Sequence, residues 1–177
     1  PVNNITNCVG VPVSGTISVN ALHELTSTSG NTDQTLCEGE AIEPINLTLA
    51  GGATDVSITA NTAATANAGN VLSTDLSWMN ISTSGTSVTI TGTPSADITQ
   101  TTEYAYTVTT TGSSCTDAEL QGTIIVNPTP KVIYVSSGSI NQTICEGDVI
   151  TPIVFNLIDE AQTATVTGLP AGVLANI

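Results

Sequence analysis

Across 177 residues the chain carries one lysine, no arginine and fifteen acidic residues, for a formal net charge of −14. Such a surface repels phosphate backbones and anionic lipid, so nucleic acid and anionic membrane faces are excluded as partners. Only 9% of residues are charged and 40% are hydrophobic, so the chain is no disordered acidic tail and can bury a core.

About a quarter of the residues are Ser or Thr, and the scarcity of Lys and Arg leaves trypsin-like proteases almost nothing to cut. Both traits suit a secreted, protease-exposed protein. No apolar run approaches the ~20 residues that span a bilayer, and there is no basic, apolar, then small-residue leader. The expectation is an extracellular, cell-surface segment without membrane insertion of its own, with any export signal or anchor outside it. Four cysteines, no CxxC pair and a single histidine, His23, favour disulfides in an oxidising compartment over a metal site.

In chain order, residues 1–20 end in the alternating Thr16-Ile17-Ser18-Val19, predicted as a closing strand. Ala21 to Asn31 is polar, with Leu22 and Leu25 its only large apolar residues, and reads as a connector with room for a short strand. His23 falls inside it and reads as a surface residue. Ile45, Leu47 and Leu49 alternate with Asn46 and Thr48, the period-two pattern of a half-buried strand, and Gly51-Gly52 ends it. Val56 and Ile58 open a second strand, and the small residues from Ala60 to Asn70 read as a long loop. Leu76, Trp78 and Ile81 predict a third strand. Val88 and Ile90 predict a fourth, stopped by Gly92-Thr93-Pro94.

The clearest strand runs from Thr102 to Thr110, with Tyr104, Tyr106 and Val108 on one face and Glu103, Ala105 and Thr107 on the other. A turn at Thr111-Gly112-Ser113-Ser114 leads to a last strand from Gln121 to Val126, which Asn127-Pro128-Thr129-Pro130 terminates as a stiff connector. A short apolar strand, Lys131 to Val135, follows at the junction. Seven short strands punctuated by Gly and Pro, with no helical stripe, predict an all-β, antiparallel two-sheet sandwich.

The chain also repeats itself. Gln34-Thr35-Leu36-Cys37-Glu38-Gly39-Glu40 returns as Gln142-Thr143-Ile144-Cys145-Glu146-Gly147-Asp148. Cys8 and Gly15-Thr16-Ile17-Ser18-Val19-Asn20 return as Cys115 and Gly122-Thr123-Ile124-Ile125-Val126-Asn127. Both offsets, about 108 and about 107 positions, match one small domain and exceed a solenoid repeat. The frame divides the chain into residues 1–27, the last strands of a preceding repeat with its connector; 28–135, a complete repeat with its connector; and 136–177, the first strands of the next.

Three motifs together carry a resemblance: Cys145-Glu146-Gly147-Asp148; Gly168-Leu169-Pro170-Ala171-Gly172-Val173; and Thr89-Ile90-Thr91-Gly92-Thr93-Pro94 followed by Tyr104-Ala105-Tyr106-Thr107-Val108-Thr109-Thr110-Thr111-Gly112. They resemble the PKD-like, immunoglobulin-like repeats of the large cell-surface adhesins of gliding bacteria. The resemblance implies tandem β-sandwich repeats joined by short Pro/Ser/Thr-rich connectors in a long secreted adhesin. It implies a non-enzymatic stalk or spacer whose partners are neighbouring repeats, with surface polysaccharide or other cell-surface proteins as adhesion targets. The complete repeat departs from it: the Leu-Pro-Ala-Gly turn of 169–172 has no counterpart there, and residues 60–83 are enlarged.

Since the family motif holds both cysteines within one repeat, the resemblance favours a Cys37–Cys115 disulfide, with Cys8 and Cys145 paired outside the segment. By the chain-entropy model, closing a loop of about 78 residues in this way stabilises by roughly 4.5 kcal/mol. The rival connectivity, Cys8–Cys37 with Cys115–Cys145, would staple neighbouring repeats. No Ser or Cys nucleophile has a base close in sequence, so no catalytic residues are expected. The acidic pairs Glu38/Glu40 and Glu146/Asp148 lack the Asp-x-Asp-x-Asp-Gly pattern, so no cofactor is expected and Ca²⁺ is left at most a place at a repeat junction. Trp78 and Asn80 form the one candidate sugar-stacking surface, against the alternative of Trp78 as a core anchor. A carbohydrate-binding or Ca²⁺-dependent adhesion module on the same fold is the second functional expectation.

Overall fold

The alternating segments become strands, as a computed structural model of residues 5–6, 9–112, 115–136 and 138–176 shows. In chain order they are β1 (Glu24–Ser29), β2 (Gln34–Cys37), β3 (Ile45–Ala50), β4 (Ala53–Ala60), β5 (Val71–Leu72), β6 (Met79–Ser84), β7 (Ser87–Gly92), β8 (Thr102–Gly112), β9 (Glu119–Asn127), β10 (Lys131–Tyr134) and β11 (Phe155–Ile158). Among the described residues there is no helix.

The first nine strands form two sheets, one ordered β1-β3-β7-β6 and the other β2-β9-β8-β4, with β5 continuing the β4 edge alongside β8. All pairs are antiparallel except β2 with β9 and β5 with β8. The arrangement is an immunoglobulin-like β-sandwich. Its core is the inward row of each strand: Ile45, Leu47 and Leu49 of β3 and Val88 and Ile90 of β7 cluster with Tyr104, Tyr106 and Val108 of β8 and Ile124 and Val126 of β9. Removing these side chains from water is the main drive for the two sheets to pack.

Several expected boundaries move. β1 is the outer strand of the first sheet, with Leu25 opposite Leu49 in register, so residues 24–27 belong to the sandwich and not to a preceding connector. Lys131–Tyr134 pairs with Phe155–Ile158, so those residues belong with β11 and not with the 28–135 unit. Leu76 and Trp78 precede β6 rather than lie in it, and the strand there begins at Met79. β8 runs on to Gly112, into the expected turn, whose Ser113 and Ser114 lie outside the described residues. Thr16–Val19 forms no strand, and Ile17 and Val19 are exposed. The corresponding residues of β9 are held between β2 and β8, and among the described residues no strands flank Thr16–Val19 in that way.

Both faces of β8 are buried at its start, where alternation predicted one. The loop after β4 folds back over the outer face and covers Glu103 and Ala105. Glu103 fastens that loop, its Oε1 accepting from the Asn67 N–H at 2.9 Å, Asn67 Nδ2 at 2.6 Å and Asn70 Nδ2 at 2.5 Å. Burial alone would raise this carboxyl, but the donors of Asn70 and Asn67 outweigh it and hold it below the ordinary glutamate range.

Candidate functional site: the two poles of the sandwich

Strand direction gives the sandwich two distinct ends. At the entry pole the chain arrives at His23, the β3–β4 turn Gly51-Gly52 lies against Leu22 and His23, and Gly112 lies against Gly52 and Thr54. Gly51 (φ 68°) and Gly52 (φ 91°) both adopt left-handed backbone, and a Cβ on Gly51 would fall 1.6 Å from the Leu22 carbonyl oxygen. His23 is no surface residue: it is buried, with Nδ1 3.0 Å from Oδ1 of Asp117 and 3.1 Å from Oγ1 of Thr110. An ionised aspartate only accepts, which places the proton on Nδ1. Both contacts lie on one ring nitrogen and tie the arriving chain to β8 and to the segment before β9, and Thr110 is fully buried.

At the exit pole, Cys37 stands opposite Asn127 in the parallel β2–β9 pair. The next residue, Glu38, is the hub of this end. Its Oε1 accepts from the Thr129 N–H at 3.2 Å and its Oε2 from the Ile98 N–H at 3.1 Å, which ties the β2 turn to the connector and to the loop before β8. The only lysine of the chain, Lys131, places Nζ 3.7 Å from Glu38 and 2.9 Å from Asp159. Glu160 completes the contact, accepting from the Thr101 N–H and Oγ1, each at 2.9 Å.

Burial pushes the Glu38 carboxyl up, but the Thr129 and Ile98 N–H groups and the Lys131 charge together leave it below the ordinary range. The Lys131 ammonium is correspondingly raised, first by its hydrogen bond to Asp159. Asp159 (φ 56°) and Glu160 (φ 61°) are the two non-glycine residues with positive φ among the described residues, a conformation that costs roughly 1–2 kcal/mol each. The Glu160 carboxylate reaches the sandwich at Thr101, while Asp159 holds Lys131 of its own strand pair.

The strand pair β10–β11 reproduces part of the sandwich in detail. Lys131↔Ile158 and Val132↔Leu157 match Glu24↔Ala50 and Leu25↔Leu49, at the same offset as the sequence cassettes. Gln34 Nε2 donates to the Asn31 and Glu43 carbonyls while its Oε1 accepts the Glu43 N–H. Gln142 makes the same three bonds with Ser139 and Thr151. The Cys37 N–H donates to Glu40, and the Cys145 N–H to Asp148. Asp159-Glu160 stands where the sandwich has Gly51-Gly52.

The cysteines do not meet as the resemblance implied. Cys37, Cys115 and Cys145 are free thiols, and Cys8 lies outside the described residues. Cys37 is level with the last residue of β9 at the exit pole, while Cys115 precedes the first residue of β9 at the entry pole. Eight residue steps of strand are roughly 26 Å, far beyond the ~7 Å Cα separation a disulfide tolerates. The Cys37–Cys115 bridge is therefore corrected: parallel pairing of β2 with β9 sends the two cysteines to opposite poles.

Trp78 packs against the core cluster with its ring 5.2 Å from that of Tyr104, edge to face, and its Nε1 is buried without a hydrogen-bond partner. That packing fits the core-anchor alternative, with the side chain half-buried. Asn80 is exposed and turns its Nδ2 back to the Trp78 carbonyl. Among the described residues no group of three or more His, Cys, Asp or Glu side chains is arranged to hold a metal ion. An open groove of about 620 Å³ lies on the outer face of the second sheet, between the 61–64 loop and β9, with Asp33, Asn61, Ala105, Gln121 and Thr123 in its walls.

No protein-family model and no curated protein matches this chain. The functional reading therefore rests on the residues and their geometry.

Proposed function

We infer that the chain is a run of tandem immunoglobulin-like beads from an extracellular, cell-surface adhesive stalk, and that it does mechanical rather than catalytic work. The observation that carries this reading is the recurrence, at one common offset along the chain, of both strand register and side-chain hydrogen bonds. In this reading β1–β9 are one complete bead and β10–β11 begin the next. The Pro128-Thr129-Pro130 connector fixes their spacing, and the joint is clamped by Lys131, Glu38, Asp159 and Glu160.

A joint made this way favours a stiff stalk over a flexible string. Lys131 is placed where two carboxylates from different beads would otherwise repel, and the connector prolines limit its backbone freedom. The rest of the surface keeps its negative charge, which opposes collapse of one bead onto another.

The test is single-molecule extension, under reducing conditions, of a chain holding several repeats. Each bead of about 107 residues should release roughly 340 Å when it unfolds, the difference between an extended chain at ~3.5 Å per residue and a folded length of roughly 36 Å. Equal steps of that size support the reading, and extension without discrete steps opposes it. The groove beside Gln121 favours a second reading, an adhesion module for neutral glycans, because amide, hydroxyl and carboxylate groups surround an alanine floor. A glycan array would show a ligand abolished by Gln121→Ala.

A further inference from the structure

We propose that Cys37 forms a disulfide across the joint, with the cysteine that occupies the Cys115 position of the following bead, so that each bead is stapled to the next at opposite poles. This deepens the tandem-bead reading and rests on it.

The pairing follows from three observations. First, the cysteines of one bead stand at opposite poles, Cys37 at the exit and Cys115 at the entry. The cassettes place Cys145 as the counterpart of Cys37 and Cys8 as the counterpart of Cys115, so two cysteines recur per unit. Secondly, the exit pole of the sandwich touches the entry-pole elements of the next unit. Lys131 and the Asp159-Glu160 turn contact Glu38 and Thr101, and Glu38 is the immediate neighbour of Cys37.

Thirdly, within the complete sandwich the segment bearing Cys115 sits beside that same turn. Gly112 lies against Gly52 and Thr54, Ala53 pairs with Gly112, and Asp117 is tied to His23. The next bead, built alike, brings its own Cys115 counterpart over the pole where Cys37 is exposed. In an in-line stack of beads built alike, the rival connectivity joins the entry pole of one bead to the far pole of its successor, two bead lengths apart.

Formation of the S–S bond removes two protons and two electrons from two thiols. The acceptor is the disulfide of a protein thiol oxidase, which leaves as a dithiol. Cys37 has no partner of its own within the described residues, so the isolated chain keeps Cys37, Cys115 and Cys145 reactive to alkylation after exposure to such an oxidant.

The decisive experiment uses the natural chain extended through the whole of its next bead, oxidised, then digested without reduction by a protease that cuts after acidic residues. Mass mapping should find the Cys37 peptide joined to the peptide carrying the Cys115 counterpart. Cys37→Ser, at an exposed position, should leave the sandwich folded and free one additional alkylatable thiol in the following bead. A Cys37–Cys115 crosslink overturns the proposal, as does finding both cysteines free while scattering still reports two beads in line; in the latter case the bead reading survives. Failure of the extended chain to form a second sandwich overturns both.

Discussion

The same sequence cassette occurs in two settings, and the contrast separates what local sequence does from what packing does. Gln34 and Gln142 make identical hydrogen bonds, and β1–β3 and β10–β11 share one register. Burial differs sharply. Ile45 and Leu47 are 0% exposed inside the sandwich, whereas their counterparts Ile153 and Phe155 are 36% and 51% exposed. Turn chemistry and short-range side-chain clamps are encoded inside the cassette itself, but the core needs the second sheet that β8 and β9 supply. The strand pair β10–β11 has no such sheet opposite it among the described residues.

The largest expected effect breaks the contrast at its core. Leu47→Ala should destabilise the sandwich by about 2–5 kcal/mol, whereas Phe155→Ala, which loses mainly its edge-on contact with Tyr134, should cost no more than about 1 kcal/mol. Denaturant titration of both variants measures the difference directly. Comparable costs would mean that β11 sits in a packed core after all.

Next in size is Glu103→Ala, which orphans the Asn67 and Asn70 donors and should cost about 1–3 kcal/mol while exposing residues 61–70 to proteolysis. The same group predicts acid sensitivity. Its folded carboxyl is held below the ordinary value of 4.5, so its contribution is complete above that pH and is lost as the pH falls through the lower folded value. Glu103→Gln should remove that part of the acid-induced loss, as a thermal-melt series from pH 7 to pH 2 would show.

Gln34→Ala should be milder still, about 1 kcal/mol for a clamp of three exposed hydrogen bonds, and Gln142→Ala should leave the sandwich melt unchanged. The smallest effect on stability, yet the most informative about the joint, is Lys131→Met. It should leave the sandwich melt in place and increase the independent motion of β10–β11, read as diverging rotational correlation times in NMR relaxation. The raised Lys131 ammonium gives the joint an upper pH limit. Its contribution is complete below the ordinary value of 10.5 and is lost as pH rises through the higher folded value. Glu38 sets the lower limit in the opposite sense, since its carboxyl is depressed.

Much of the fold was legible because alternation at Ile45, Leu47 and Leu49 and from Thr102 to Thr110 reports directly on a half-buried sheet. β1 was less so, since its Thr26-Ser27-Thr28-Ser29 run is exposed and lacks an apolar row. The Thr16–Val19 pattern shows the opposite failure, a sound strand sequence without neighbours to pair with among the described residues. Glu103 reads in sequence as a solvent-facing residue of an alternating strand, because nothing local announces that a loop 36 residues upstream folds over it.

The site was harder to read. The Cys37-Glu38-Gly39 cassette stood out by repetition, but its role depends on where strand direction puts it. Only the parallel β2–β9 pairing shows that Cys37 and Cys115 face opposite ways. A single lysine among fifteen acidic residues was visible from composition. Its placement between Glu38 and Asp159 was not, because those two carboxylates lie about 120 positions apart along the chain.

The central claim is that each successive repeat adds one rigid sandwich in line with the last. Small-angle X-ray scattering on chains of two, three and four repeats tests it most directly. The account predicts a maximum dimension that rises by a constant roughly 36 Å or slightly more per repeat, set by the length of β8, with a cross-section that does not change. A dimension that grows with a diminishing increment, as for compact or freely jointed chains, would contradict it.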